Sequence, residues 1–304
     1  MSRRFLVIPR MRVEHANAMQ SWWLMAPPSP MTIYGFSRAM GLRCAFQVFG
    51  LAIVHHDVQW LAAEKSNNRF IKKHEGGRDD KNWDIRFWNR KVIPQQPQGA
   101  TFIDEQDHIA SGFAKGLQPT ARCHVDISVV LDISGISDSS VHPDDVIDFL
   151  WSGRLGGGTI IEHGKVEFCE TSENVMQKVG GGFWVTDRSD LVLQAMQLHE
   201  MDGTEALTQV FGESAKHKNA YDRASAEKQE KMQKPESWLS ANVIGYATLE
   251  SPKERVGVRD GIPHAYAEPL IGLTQYRSVR EEKCVPFWQY HASPEKGVYL
   301  MKGN

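Results

Sequence analysis

Apolar and polar residues are distributed along the first half of the chain in a way that predicts three β-strands. Residues 5–8 and 48–55 are rich in β-branched and aromatic side chains, which is typical of buried strands. In residues 121–133 apolar and polar residues alternate before the run becomes continuously apolar, so we expect one long strand there.

Two helices are predicted between and after these strands. Residues 31–42 place apolar side chains at helical spacing. A second helix begins at Pro143, because proline is favoured at the first helical position and Asp144 and Asp145 suit the positive end of the helix dipole. Its predicted core face consists of Val146, Ile147, Phe149 and Leu150. The order strand, helix, glycine loop, strand is typical of half a ferredoxin-like fold.

The predicted fold is α+β, with a ferredoxin-like or RNA-recognition-motif-like body in residues 1–186. A basic hairpin, similar to a thumb, is expected as an insertion at about residues 62–112. Residues 187–240 form a predicted helical insertion, and residues 241–304 are expected to return to the body. From residue 213 to 234 the chain is almost wholly polar, which indicates either a solvated helix or a mobile insertion.

Composition limits the class of protein. With 304 residues, 41% apolar and 24% charged, the chain is expected to be folded. No apolar run approaches the ~20 residues that a membrane span needs, and the apolar stretch ending at Pro9 is too short for a signal peptide, so we expect a cytoplasmic protein that binds no membrane. The four cysteines lie far apart, which predicts neither disulfides nor a zinc site. A net charge of −2 means that any nucleic acid must bind locally.

The N-terminal block, residues 8–40, has a high density of candidate RNA contacts. Arg10 and Arg12 follow a predicted strand at a spacing of two, so their guanidinium groups would point to one face and suit phosphate oxygens. Ser29 lies in a proline-rich loop, and Arg38 lies in the following helix. The alternative is a solvated strand end with surface arginines.

A glycine-rich block follows the second helix. Arg154 precedes Gly156, Gly157 and Gly158, whose backbone could approach RNA phosphates closely. The alternative is a helix C-cap and a turn, which glycines serve equally well. No GxxxxGK[ST] motif is present, so a nucleotide-hydrolysing loop is disfavoured.

A third block, residues 65–91, contains nine basic and four acidic residues interleaved with aromatic ones. Phe87 or Trp88 could stack on or wedge bases beside Arg90, because cations and aromatic faces together hold single-stranded nucleic acid. The alternative is a solvated hairpin whose aromatic side chains pack inward.

Catalytic motifs are absent from the sequence. HExxH, GxSxG and metal-spaced carboxylates do not occur. The candidate general bases are His15, the pair His55–His56 and His291, and no spacing singles one of them out. We therefore predict a protein without enzymatic activity, catalytic residues, metal or cofactor.

Three regions resemble the type I-F CRISPR surveillance-complex subunit of the Cas-five group, also called Csy-two. The first is residues 8–40, with Pro9–Arg10, Asn17–Ala18, the loop Pro28–Ser29–Pro30 and Gly35–Phe36. The second is the glycine block, with Arg154, Leu155, Gly157 and Gly158, and the third is the closing segment from Trp288 to Met301. Residues 62–112 and the polar insertion at 200–234 differ from the family pattern.

This resemblance implies a fold of the repeat-associated CRISPR (RAMP) superfamily and a role at the 5′ handle of the CRISPR RNA. The subunit would cap a filament of backbone subunits in an antiviral complex and would not process the RNA. Its partners would be CRISPR RNA and the other subunits. The residues expected to contact RNA are Arg10, Arg12, Ser29, Arg38, Phe87, Trp88, Arg90, Arg154, Gly156, Gly157 and Gly158.

Three further hypotheses stay open at this stage. Clustered charges suggest contact with double-stranded target DNA through Lys72, Lys73, Arg78, Lys216, Lys218 and Arg223. The chain could instead be a repeated backbone subunit of the same complex. It could also be a metal-independent endoribonuclease that uses His15 or His291.

Overall fold

The computed structural model describes residues 4–21, 24–61, 63–64, 92–93, 121–133, 141–229, 236–257 and 261–304. The strands are β1 (Phe5–Asn17), β2 (Met19–Ser21), β3 (Leu24–Met25), β4 (Gly50–Leu61), β5 (Ala63–Glu64), β6 (Val92–Ile93), β7 (Arg122–Asp132), β8 (Arg154–Leu155), β9 (Gly158–Glu162), β10 (Glu167–Cys169), β11 (Phe183–Asp187), β12 (Leu239–Thr248), β13 (Ala267–Ser278), β14 (Trp288–Ser293) and β15 (Val298–Gly303). The helices are α1 (Pro30–Arg43), α2 (Pro143–Ser152), α3 (Ser172–Val179), α4 (Ser189–His199), α5 (Gly203–Arg223) and α6 (Ala226–Gln229).

Most of these strands belong to one antiparallel sheet, which confirms the α+β class. Its hydrogen-bonded order is β11-β13-β12-β15-β14-β4-β7-β1-β9-β8, and β10 also pairs with β1. Within it, β9, β1, β7 and β4 lie side by side, and each strand is antiparallel to its neighbours. Along the chain these strands and their helices follow the order β1-α1-β4-β7-α2-β9. No helix among the described residues is long and apolar enough to cross a membrane.

Helices α1 and α2 pack against one face of this four-stranded region. Alternate residues of β7 point to that face because successive side chains of a strand point to opposite sides. The β7 residues concerned are Cys123, Val125, Ile127, Val129 and Leu131. They form one buried cluster with Ile33, Phe36 and Met40 of α1 and with Val146 and Leu150 of α2.

The opposite face of the same strands is divided into two halves. At one half, Val7, Val54 and Val130 are buried with Trp184 of β11 and Val175 of α3. At the other half, the side chains are polar and no element among the described residues covers them completely. This open half of the sheet, which we call the polar face, carries Arg10, Arg12, Glu14, Asp57, Gln59, Arg122, His124, Asp126, Arg154 and Glu162.

Six strands of the sheet close into a ring. Strand β4 pairs with β7 along one edge, and its other edge pairs with β14 at Leu51 and with β11 at Val54 and His55. Four further pairs complete the ring: β14 with β15, β15 with β12, β12 with β13, and β13 with β11. Trp288 of β14 is fully buried, and its indole N–H donates to the carbonyl oxygen of Val185 at 2.7 Å.

Helices α4 and α5 pack against β12 and β13. Their apolar residues, including Leu207, form a third cluster with Val243 and Leu273. The N-terminal β2–β3 hairpin reaches this cluster through Leu24, and the amide of Gln20 bonds to the Asn242 side chain at 3.1 Å and to the Val243 N–H at 2.8 Å. The N-terminal block is thereby attached to the C-terminal strands.

Several sequence predictions are confirmed, and two need correction. The strand at 121–133 and the helices beginning near residues 31 and 143 are present. The first two strands are longer than the apolar runs 5–8 and 48–55, because each continues into a half where only one face is buried. Arg10 and Arg12 therefore lie inside β1 and do not follow it. The short strands β5 and β6 pair with each other, and the rest of the basic segment 62–112 lies outside the described residues.

We predict that Trp288 contributes strongly to stability. Trp288→Ala should lower the free energy of unfolding by about 3–5 kcal/mol, because it removes a large buried side chain and leaves the Val185 carbonyl unpaired. Urea denaturation followed by circular dichroism measures the change. The matched control is Trp151→Ala, since Trp151 is 71% exposed. Equal effects of the two substitutions would contradict the assignment of Trp288 to the core.

Candidate nucleic-acid interface

The alternation of β7 supplies the middle row of the polar face. Arg122, His124, Asp126 and Ser128 alternate with the buried apolar residues and therefore point away from α1 and α2. Sequence reasoning singled out none of these four residues, although the alternation it used to predict the strand already placed them on one side. Two of them, Asp126 and Ser128, bond to Arg10.

Arg10 lies at an irregular point of β1. Its φ is +50°, a left-handed conformation that is uncommon for a non-glycine residue, and the pairing register of β1 with β7 shifts between Ile8 and Met11. The Arg10 N–H donates to Ser128 Oγ at 3.0 Å, and the guanidinium contacts Asp126 Oδ2 at 2.8 Å. The bulge thus turns the Arg10 side chain onto the polar face, where it is 55% exposed.

His56 completes a hydrogen-bonded chain behind Arg10. Its Nδ1 lies 2.7 Å from the Gly181 carbonyl oxygen, which only accepts, so Nδ1 carries the proton and donates. Its Nε2 then accepts from the Ser128 hydroxyl at 2.6 Å, and that hydroxyl oxygen is free to accept from Arg10 N–H. Burial lowers the pKa of His56, which favours this neutral state.

Arg12 lies between two carboxylates. It is paired in register with Asp126 of β7 on one side and with Glu162 of β9 on the other. Its guanidinium bonds to Glu162 Oε2 at 2.8 Å, and the two side chains are 57% and 62% exposed. Ion pairs this exposed contribute about 0–1 kcal/mol, so a phosphate can replace the carboxylate at little cost.

The polar face is balanced in charge. Arg10, Arg12, Arg122 and Arg154 are its arginines, and Glu14, Asp57, Asp126 and Glu162 are its acids. Arg122 donates to the His15 carbonyl oxygen at 3.0 Å. A cleft of about 230 Å³ lies among Arg12, Asp57 and His124. Nucleic acid binding here requires exchange of internal ion pairs for phosphates, and it cannot come from a uniformly positive surface.

The glycine block forms a tight hairpin at the edge of the sheet. Gly156 and Gly157 have φ of +57° and +77°, which is typical of a type I′ turn between β8 and β9. Gly158 is needed for packing inside the protein, since a Cβ there would lie 2.6 Å from the Glu14 carbonyl oxygen. Its expected contact with RNA stays a prediction. Gly157 has open space around its Cα.

The proline loop lies beside this hairpin. A Cβ on Gly156 would be 3.5 Å from Pro28, and the Gly156 carbonyl oxygen accepts from Asn17 N–H at 2.8 Å. Two blocks separated in sequence are thus neighbours in space. Ser29 is only 2% exposed, and its hydroxyl caps α1 by accepting from Thr32 N–H at 3.1 Å. Ser29 therefore has a structural role, and its expected contact with RNA stays a prediction.

Arg38 is exposed on α1, on the side of the sheet opposite to Arg10 and Arg12. It lies near Tyr290, whose pKa is raised by burial and by the neighbouring Tyr34 and Tyr299 and is lowered by Arg38. The rings of Tyr34 and Tyr290 stack with their centroids 4.6 Å apart. The structure does not bring Arg38 together with the other arginines.

Of the remaining residues predicted to contact nucleic acid, the structure describes only some. Phe87, Trp88, Arg90, Lys72, Lys73 and Arg78 lie outside the described residues. Lys216, Lys218 and Arg223 are exposed in the C-terminal half of α5, and Lys218 pairs with Asp222 at 2.6 Å.

Neither His15 nor His291 is placed in a recognisable catalytic group. His15 packs edge-on against His124 with ring centroids 4.9 Å apart, and its backbone N–H donates to His124 Nδ1 at 3.3 Å. His291 lies on the exposed part of β14. Within the described residues, no group of three or more His, Cys, Asp or Glu side chains could hold a metal ion.

The fold and this face define an α+β protein whose antiparallel sheet carries one face with arginines open to solvent. A family model described as CRISPR-associated protein (Cas_Csy2) matches residues 111–301, and the chain belongs to this family. CRISPR-associated protein Csy2 of Pseudomonas aeruginosa (strain UCBPP-PA14) is 21% identical over 336 residues, which cover 97% of this chain and 93% of that protein. The resemblance to a type I-F surveillance-complex subunit, drawn from three short regions, is thereby confirmed.

We predict that the stability of the protein depends on pH because of His55, the neighbour of His56 in β4. Burial, with a smaller effect of His56, lowers the pKa of His55 to about 4. The unfolded chain takes up this proton near pH 6.5 and the folded protein only near pH 4, so stability is complete above about pH 6.5 and decreases as the pH falls to about 4.

The expected loss from His55 is about 3 kcal/mol, at about 1.4 kcal/mol per pH unit. His55→Gln should be less stable than the wild type at pH 7 and should lose less stability on acidification, as measured by urea unfolding at a series of pH values. His291→Gln is the control and should keep the wild-type profile, since His291 is exposed. Parallel profiles for wild type and His55→Gln would contradict the prediction.

Proposed function

We propose that the chain is the non-catalytic subunit that binds CRISPR RNA at the 5′ handle and caps that end of a type I-F surveillance complex in antiviral DNA interference. Membership of the Cas_Csy2 family supports the assignment of the chain to this complex and of CRISPR RNA as its ligand. The observation that locates the RNA site on this chain is the polar face, where Arg10 and Arg12 lie on β1 and Arg154 lies on β8, with β9 between the two strands.

The strand order supports a ferredoxin-like body for this role. The four strands taken in chain order, β1, β4, β7 and β9, lie in the spatial order fourth, first, third, second, with α1 and α2 in the two crossovers on one face. This is the arrangement of a ferredoxin-like βαββαβ unit. RNA-recognition modules of similar topology use the sheet face opposite the two crossover helices, and the open half of that face carries the arginines here.

Exchange of ion pairs gives a mechanism for binding. In the free protein Asp126 and Glu162 hold Arg10 and Arg12 in place, which reduces the conformational entropy lost when a phosphate binds. A phosphate then offers the same guanidinium groups a bidentate partner. The bulge at Arg10, held by Ser128 and His56, sets the direction in which that guanidinium points.

We predict that each arginine contributes to RNA affinity. Arg10→Ala, Arg12→Ala and Arg154→Ala should each weaken binding by about 1 kcal/mol, or ~5-fold, because a charge-assisted contact is lost and is partly offset by the ion pair already present. Each should also lower the slope of log affinity against log salt by about 0.7. Fluorescence anisotropy with a labelled copy of the handle end of the copurified CRISPR RNA measures both quantities.

Two control variants sharpen this experiment. Arg280→Ala removes an exposed arginine far along the chain from the polar face and should leave affinity unchanged within error. Glu162→Gln frees Arg12 from its partner and should strengthen binding. The proposal fails if no RNA copurifies with the chain and none binds when added, or if Arg280→Ala is as harmful as the three variants.

Two measurements separate this function from the other hypotheses. Native mass spectrometry of the assembled complex should give one copy of the chain, whereas a backbone subunit would be present in several copies. Purified protein should leave repeat RNA intact; cleavage that is lost in His15→Ala or His291→Ala would instead establish the endoribonuclease. Contact of Lys216, Lys218 and Arg223 with target DNA stays a prediction, supported by their exposure at the end of α5.

A further inference from the structure

A groove lies between α4 and α5, beside strand β12. It has a volume of about 290 Å³ and is lined by Ala195 and Leu198 of α4, Val210 of α5 and Leu239 of β12. Leu198 is 68% exposed although it lies at the wall of this groove. The volume is near the lower limit of ligand pockets, roughly 300 Å³, and suits one or two anchoring side chains.

The segment from α4 through the first half of α5 is acidic. Residues 189–215 contain five acids and neither lysine nor arginine. The acids are Asp190, Glu200, Asp202, Glu205 and Glu213. Glu213 and Glu236 line the groove itself. The nearby Arg188 is only 15% exposed, and its guanidinium is bound to Asp190 and Glu236 at 3.0 and 2.8 Å, so it adds little positive potential outside.

This acidity decides which kind of molecule can bind. An RNA or DNA backbone would be repelled, because phosphates need clustered lysine or arginine. The basic residues of α5 begin only at Lys216, beyond the acidic half of the helix. An apolar groove with an acidic rim is complementary to a protein segment that carries aliphatic side chains between lysines and arginines.

We propose that the α4–α5 groove is the docking site for a basic amphipathic segment of another protein subunit of the surveillance complex. An aliphatic side chain of that segment would enter between Leu198 and Val210, and its cationic residues would face Glu213 and the acids of α4 and α5. This assignment rests on membership of the complex and is independent of the role at the RNA handle.

Photo-crosslinking in the assembled complex tests the site. The full chain carrying p-benzoyl-L-phenylalanine at position 198 is coexpressed with the other type I-F subunits and CRISPR RNA, irradiated, and analysed by mass spectrometry. We expect a crosslink to a segment of another subunit rich in Lys or Arg and containing an aliphatic residue. Val256, an exposed apolar residue outside the groove, is the control position and should not crosslink to that segment.

A charge reversal tests the chemistry of the contact. Glu213→Lys should reduce the yield of the crosslink from position 198 by about tenfold, because like charges then face each other at the rim. Glu268→Lys reverses an exposed acid elsewhere and should leave the yield unchanged. Both variants should bind the labelled handle RNA with wild-type affinity, which separates failure of this inference from failure of the proposed RNA site.

Several outcomes would overturn the inference. They are a crosslink from position 198 to RNA, to DNA or to a second copy of the chain, the absence of any crosslink to protein, and an equal yield with Glu213→Lys and wild type.

Discussion

Strand β4 uses both of its edges, and each edge holds a different part of the molecule. One edge pairs with β7 along most of its length, while the other pairs first with β14 and then with β11. The four-stranded region and the six-stranded ring therefore share this strand. Since backbone hydrogen bonds of a buried strand must be satisfied, the chain can form neither part completely without the other.

The ring contributes side chains to the main hydrophobic core: Val185, Trp288 and Met301 are buried in the same cluster as the apolar residues of α1. Trp288 of β14 is fully buried and donates its indole N–H to Val185 of β11, so it connects the two strands that pair with the same edge of β4 by burial and by a hydrogen bond. At the end of the ring, Asp187 of β11 accepts from the Gly303 N–H of β15 at 2.9 Å. These contacts connect the last residues of the chain to its middle and make the aromatic C-terminal segment part of the body.

The polar face of the sheet and the α4–α5 region differ in electrostatic character, which suits a subunit that holds both RNA and protein. The polar face alternates arginines with carboxylates, so its cations are available for phosphates without making the free surface strongly positive. The α4–α5 region carries acids around an apolar groove. The net charge of −2 of the whole sequence does not show this division.

The sequence by itself determined the elements whose signals are local. Alternation in residues 121–133 predicted β7, Pro143 with its two aspartates marked the start of α2, and ordered motifs identified the family. Only the tertiary structure decided which side chains share a surface. Ser29 turned out to be a buried cap and Gly158 a packing contact, whereas Arg122 and His124 joined the polar face unnoticed. The physical reason is that the strand pairing and the two bulges of β1 set these neighbours, and both depend on residues more than a hundred positions away in the chain.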